Sequence, residues 1–181
     1  MTDPIHFIPR SHEPQILSTR ISHIHAVAHQ KHAGTNHWSL YLLTTTPPTT
    51  TVSNTPLSIN LDCQPSHSIP STVLHDGSKA NVIFSEVPYT VPPDAEVHYA
   101  LEVVAGLTVQ DVWNLMVEHG RQRYEFDADG VGCRFWVKGM LEVLFGQGFL
   151  VDAVQVEEAE WGIGRVWPEG EEFELDRGAY Y

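Results

Sequence analysis

Three side chains in the sequence have types that together run nucleophilic chemistry: Cys133, His37 and Asp62. A thiol becomes a nucleophile when it loses its proton, an imidazole can take that proton, and a carboxylate can hold the imidazole in the right tautomer. Cys133 directly follows DADGVG and opens CRFWVKGMLEVLFG, where Cys133, Trp136, Val137, Met140, Leu141 and Leu144 recur at i, i+3, i+4, i+7, i+8 and i+11. That is one apolar stripe of an amphipathic helix, ended by Gly146 and Gly148. The sulfur then sits at a helix start, where uncapped N–H groups and the positive end of the macrodipole favour a thiolate. The alternative is that Cys133 is only the first core residue of the stripe, since free Cys is among the most buried residue types.

The elements that must bring these groups together divide the chain in two. The first half reads as strands and loops. ISHIHAVAHQ, Ile21 to Gln30, places Ile21, His23, His25, Val27 and His29 on one face at period two. After the turn AGTN, Asn36 to Thr44 suits a strand with His37, Ser39, Tyr41 and Leu43 on one side and Trp38, Leu40 and Leu42 on the other. Thr/Pro-rich sequence over residues 44–57 reads as a loop, expected to be disordered, before Leu57 to Cys63, with Ile59, Leu61 and Cys63 opposite Asn60 and Asp62. Residues 64–79 read as turns, followed by strands over Ala80 to Val87 and Tyr99 to Val104. The second half changes period: Thr108 and Asp111 resemble a capping box for a helix from Thr108 to about His119, and the Cys133 helix follows. The tail from Val151 onward, with its acidic C-terminal segment 157–181, is expected to carry strand-like islands around Val154 and Val166.

NHWSLYL, a later strand with a polar residue, and then Tyr124 and GCRFWV resemble the circularly permuted branch of the NlpC-type papain-like superfamily, the lecithin retinol acyltransferase group, over roughly Asn36 to Leu144. The resemblance implies a permuted papain-like arrangement with His37 as base, Asp62 as its orienting partner and Cys133 as nucleophile. The chain has Gly132 where the permuted acyltransferases usually have Asn, and Asp62 where they often have His. The membrane-anchoring C-terminal segment common in that group is absent, which disfavours a phospholipid substrate. The whole chain is also similar to an uncharacterised fungal domain family.

Composition narrows the rest. The chain has 181 residues, 42% of them hydrophobic and 18% charged, which suits one globular domain with its core over about 21–156. A net charge of -13 repels phosphate backbones and anionic lipid, so neither nucleic acid nor a membrane is expected as partner. Two cysteines, no leader-like N-terminus and no apolar run near the ~20 residues that span a bilayer point to a cytoplasmic setting. His23, His25, His29 and His32 suggest a transition-metal cluster, but His23 and His25 project in parallel and no HExxH or CxxC spacing accompanies them; no metal or cofactor is expected. Asp127 and Asp129 before Gly130 lack the remaining ligands of a calcium loop, and no phosphate-binding loop or GxSxG elbow is present.

The sequence therefore predicts an α+β fold, an antiparallel sheet packed against helices, with the Cys133 helix aimed at the strand of His37. The expected function is a cofactor-independent thiol hydrolase or acyltransferase acting on a small molecule, ester or amide through an acyl-cysteine. Asn36, Ser39, Tyr41, Tyr124 and Trp136 are the candidate substrate-pocket residues. The alternatives are a cyclase or isomerase of secondary metabolism using an aromatic pocket of Tyr41, Tyr124 and Trp136 without a covalent step, and a non-catalytic binding protein.

Overall fold

In the computed structural model, which describes residues 4–32, 34–45, 57–175 and 178–181, the strand-rich first half and the helical second half form one α+β unit. The expected loop at 44–57 falls largely outside the described residues. In chain order the elements are β1 (Ile5–Ile8), α1 (Glu13–Ser18), β2 (Ile21–His32), β3 (Thr35–Thr44), β4 (Ser58–Pro70), β5 (Ser78–Val87), β6 (Ala95–Glu102), α2 (Val109–Glu118), β7 (Tyr124–Phe126), α3 (Cys133–Gly146), α4 (Ala153–Ile163), β8 (Arg165–Val166), β9 (Glu171–Glu172) and β10 (Ala179–Tyr180). Among the described residues, eight strands form one sheet in the order β10-β7-β5-β4-β3-β2-β6, with β1 added against β5 in the only parallel pairing of that sheet.

Alternation sorts the sheet into an apolar and a polar face. Ile24, Ala26, Ala28, Trp38, Leu40, Leu42, Ile59, Leu61, Val82, Phe84 and Leu101 are fully buried under the helices. A register shift between Ile21 and His23 moves Ile21 onto this apolar side, so it does not share a face with His23, His25, Val27 and His29 as period two alone suggests. Helix α3 is held by Trp136, Val137, Met140, Leu141 and Leu144, all with no exposed surface. Burying each is worth about 1.5–3 kcal/mol, enough to fix the helix firmly on the sheet. At α2 the capping box forms as the sequence predicts: the Asp111 N–H donates to Thr108 Oγ1 and the Thr108 N–H donates to Asp111 Oδ2.

Two local expectations are corrected. The stretch around Val154 is helical, because the Asp152 carboxylate accepts from the Val154 and Gln155 N–H groups and starts α4, which then buries Val156, Ala159 and Ile163. The turns expected over 64–79 begin later, since β4 runs on to Pro70. Pro65 is tolerated there because β4 at that point pairs only with β5 and needs no N–H on its other side. Strands β5 and β6 lie at distant positions in the sheet, so residues 88–94 cross its polar face. The Tyr89 carbonyl accepts from Ser58 Oγ (2.6 Å), the Tyr89 ring packs on Tyr41, and Asp94 meets His29. No described helix is long and apolar enough to cross a membrane.

Candidate active site

The site lies where the β3–β4 ladder stops. Leu40 to Leu43 pair with Leu61 to Ser58, and beyond Leu40 and Leu61 the two strands part: β3 stays with β2 as far as Thr35, while β4 stays with β5. Side chains bridge the opening. His37 Nε2 donates to Asp62 Oδ1 at 2.7 Å, and the second Asp62 oxygen accepts from Gln64 Nε2. The start of α3 meets the same opening, with the Cys133 thiol donating to the Asn36 carbonyl at 3.9 Å, one residue before His37, and lying beside the His37 ring.

The electrostatics follow from that geometry. Burial opposes a charge on His37, but the hydrogen bond and negative charge of Asp62, helped by Cys133, outweigh it and hold the imidazole well above its ordinary 6.5. Burial likewise pushes the Asp62 carboxyl up, and the His37 hydrogen bond and charge, helped by Gln64, bring it below its ordinary 3.8. The pair is thus an imidazolium and a carboxylate through neutral pH. Cys63 shows the contrast: wholly buried among apolar neighbours and beside the Asp62 charge, its thiol is pushed well above 9. Both cysteines are free.

The chain start of α3 has no side-chain cap, and its N-cap Gly132 adopts φ +146°, a backbone region that side chains disfavour. A residue larger than Gly there would put its Cβ 3.2 Å from Tyr124 Oη and 3.3 Å from the Gly178 nitrogen. The positive end of the α3 dipole therefore lies at the opening that holds the sulfur.

A family model matches residues 21–181. The chain belongs to DUF7770, a domain of unknown function. No curated protein and no solved structure matches it. The residues of this DUF7770 domain that the sequence groups into a substrate pocket do not converge. Asn36 is fully buried, its amide bonded to the His29 carbonyl and to both backbone groups of Trp167. Ser39 is closed in between His29 Nε2 and Asn60 Nδ2, and Tyr41 lies under Tyr89 on the polar face. Tyr124 and Trp136 lie in the core on the other side of the sheet, with Trp136 Nε1 donating to the Arg121 carbonyl. An aromatic pocket of Tyr41, Tyr124 and Trp136 is therefore excluded by the sheet that separates them. Clefts of about 250 Å³, beside Lys31 and Phe173, and about 220 Å³, between Arg121 and Tyr180, open elsewhere and are lined by none of Cys133, His37 and Asp62.

His25 and His29 of β2 take separate partners, and no group of three or more possible metal ligands converges among the described residues. His29 bonds Asp94 through Nδ1 (3.0 Å) and Ser39 through Nε2 (2.9 Å), and its ring packs 5.6 Å from that of His37. His25 stacks on His98 at 5.2 Å and is lowered to about 4 by burial, then by the neighbouring charges of His98 and His23. Sequence reasoning missed Gln64 and His29 as neighbours of the dyad. Gln64 was within reach of it, two residues beyond Asp62 on the same strand face; His29 depends on the β2–β3 register, which no local signal carries.

Proposed function

We propose that this domain is a cofactor-independent thiol hydrolase or acyltransferase with a permuted papain-like arrangement of Cys133, His37 and Asp62. The observation that carries this reading is the meeting of a sulfur at a helix start with an imidazole whose Nε2 is held at 2.7 Å by a buried carboxylate. The imidazolium beside the sulfur supplies the positive charge a thiolate needs. In the reaction the sulfur bonds to the carbonyl carbon of an ester or amide, the carbonyl oxygen takes the electron pair, and the Cys133 N–H at the start of α3 stabilises it. As the intermediate collapses, the bond to the leaving group breaks and His37 gives that group its proton, leaving an acyl-Cys133 thioester. Water, or an amine or alcohol acceptor, loses a proton to His37 and attacks the thioester, releasing acid or transferred acyl product and restoring the thiol. Asp62 holds the ring in place and stabilises its charge. The substrate class is a small ester or amide, the net charge of -13 disfavours nucleic acid, and the free thiols suit a reducing, cytoplasmic setting.

The test is acylation by p-nitrophenyl acetate, followed as a nitrophenolate burst and by peptide mass. The reading expects one acetyl group on the Cys133 peptide, a burst lost in Cys133→Ala and strongly slowed in His37→Gln, with both variants folded. Acetylation spread over lysines, or a burst that persists without Cys133, would refute it.

A further inference from the structure

Tyr124 is not at the surface and touches no cleft, yet it is joined to the Cys133 site through a single oxygen. Its hydroxyl donates to the Gly132 carbonyl at 2.8 Å and accepts from the Gly178 N–H at 3.0 Å. The Gly178 bond fills an acceptor position of the oxygen and leaves its proton directed at Gly132. The ring cannot swing away: it packs against Phe126 and Tyr180, with centroids 5.3 and 4.8 Å distant, and is fully buried. Gly178 lies so close that a Cβ there would overlap the phenol carbon at 2.3 Å. Burial, the largest cause, raises the phenol above its usual 10 and keeps the hydroxyl a donor.

The Gly132 carbonyl and the Cys133 N–H belong to one planar trans peptide, so fixing the direction of one fixes the other. The carbonyl already takes the first helical bond, from the Trp136 N–H at 3.2 Å; the Tyr124 hydroxyl adds a second restraint from the side. Gly132, at φ +146° and without a side-chain cap, has no other restraint of this kind among the described residues. We infer that Tyr124 is a positioning residue whose hydroxyl, locked by Gly178, aims the Cys133 N–H at the oxyanion formed on the acyl substrate. This rests on the thiol reading above and deepens it: the C-terminal segment, through Gly178, becomes part of the oxyanion-binding machinery.

Two rate constants separate this role from a structural one. Alkylation of Cys133 by iodoacetamide needs the thiolate but forms no oxyanion; acylation by p-nitrophenyl acetate needs both. In Tyr124→Phe, acylation should fall about tenfold or more while alkylation stays within about twofold, since a misdirected donor forfeits part of the 10²–10³ such a donor contributes. Site-specific 3-fluorotyrosine at 124 keeps the hydroxyl and should keep both rates near those of the unmodified chain. Equal changes in the two rates, loss of acylation with 3-fluorotyrosine, or loss of cooperative melting in Tyr124→Phe would each overturn the inference. If the unmodified protein acylates at Cys133 and Tyr124→Phe leaves the ratio unchanged, the positioning role fails and the thiol reading stands; if the unmodified protein does not acylate at Cys133, the thiol reading itself fails.

Discussion

Replacing Asp62 by Asn is the sharpest probe of the dyad, because it removes one charge and almost no volume. Asp62 is 7% exposed and meets His37 at 2.7 Å, so the charge-assisted bond is little screened by water. Such bonds contribute about 1.5–3 kcal/mol, and 1.4 kcal/mol is a factor of ten, so the thiolate–imidazolium pair should weaken by roughly 10- to 150-fold. The sign follows from the shift: the carboxylate and the Cys133 contact hold His37 well above 6.5, and without the carboxylate charge the imidazole falls back and is largely neutral at pH 7.5. The assay is iodoacetamide labelling from pH 5 to 8, mapped by peptide mass. In the unmodified protein the Cys133 rate at pH 6 should exceed that of Asp62→Asn, because the carboxylate holds the neighbouring imidazole in its charged form. In Asp62→Asn it should be lower at pH 6 and climb with pH, approaching the roughly tenfold per unit of an unassisted thiol. Cys63 is the internal control, since its buried thiol, raised well above 9, should remain unlabelled while the fold holds. An Asp62→Asn rate equal to that of the parent at pH 6, or Cys63 labelling as fast as Cys133, would refute the reasoning.

Three further outcomes test the frame around the site. Glu125 is buried and accepts from Ser71 Oγ, from the Thr72 N–H and Oγ1, and from the Val73 N–H; burial opposes its charge but these bonds bring it from 4.5 to about 2. Its charge should therefore stabilise the fold by about 3 kcal/mol above pH 4.5, a contribution fading as pH falls through about 2; urea titrations of Glu125→Gln and parent at pH 6 and pH 3 should show the gap narrow. Arg134 is buried and donates to the carbonyls of Ile163, Glu174 and Phe173, so Arg134→Met should cost about 3 kcal/mol and speed amide exchange over residues 173–175. An added Cβ at Gly162 would lie 2.2 Å from the Tyr99 ring, so Gly162→Ala should lower stability by about 1–3 kcal/mol in denaturant titrations, by parting α4 from β6.

Local signals in the sequence were reliable where one element's own residues decide its form. The stripe from Cys133 to Leu144 and the Thr108–Asp111 capping box specify α3 and α2, and strict alternation in β3 and β4 assigns His37 and Asp62 to the face opposite Trp38 and Leu61. Signals failed where neighbours decide. Val154 and Val156 favour a strand by type, but the Asp152 cap and the burial of Ala159 and Ile163 against the core make the segment a helix. The bulge after Ile21 is set by pairing with β3, and Tyr41 is closed off by a crossing segment nearly fifty positions later. The pocket expectation failed for the same reason: aromatic content identifies buried groups well, but only strand register and helix docking say on which side of a sheet they are buried.

The position of the site follows from an accounting of backbone groups. Where β3 and β4 part beyond Leu40 and Leu61, their facing N–H and C=O groups lose each other as partners, and buried groups of this kind must be satisfied some other way. Polar groups gather at the gap: the Asn36 carbonyl of β3 accepts from the Cys133 thiol, the Asn36 amide ties β2 to Trp167 through the His29 carbonyl and both backbone groups of Trp167, and Gln64 and His37 both donate to Asp62. A helix docked side-on would offer such a gap only apolar side chains. Docked by its N-terminus, it brings the positive end of its dipole and, here, a thiol that reaches the Asn36 carbonyl. The parted strands thus bring a thiol at a helix start beside the His37–Asp62 pair. Losing the Cys133 sulfur need not disturb that docking, since the burial of Trp136, Val137, Met140, Leu141 and Leu144 holds α3 independently. Cys133→Ser should therefore melt within about 3 °C of the parent, a cost of roughly 1 kcal/mol for one weak bond in a domain of this size, while losing acylation. A collapse of stability in that variant would make Cys133 a core residue first.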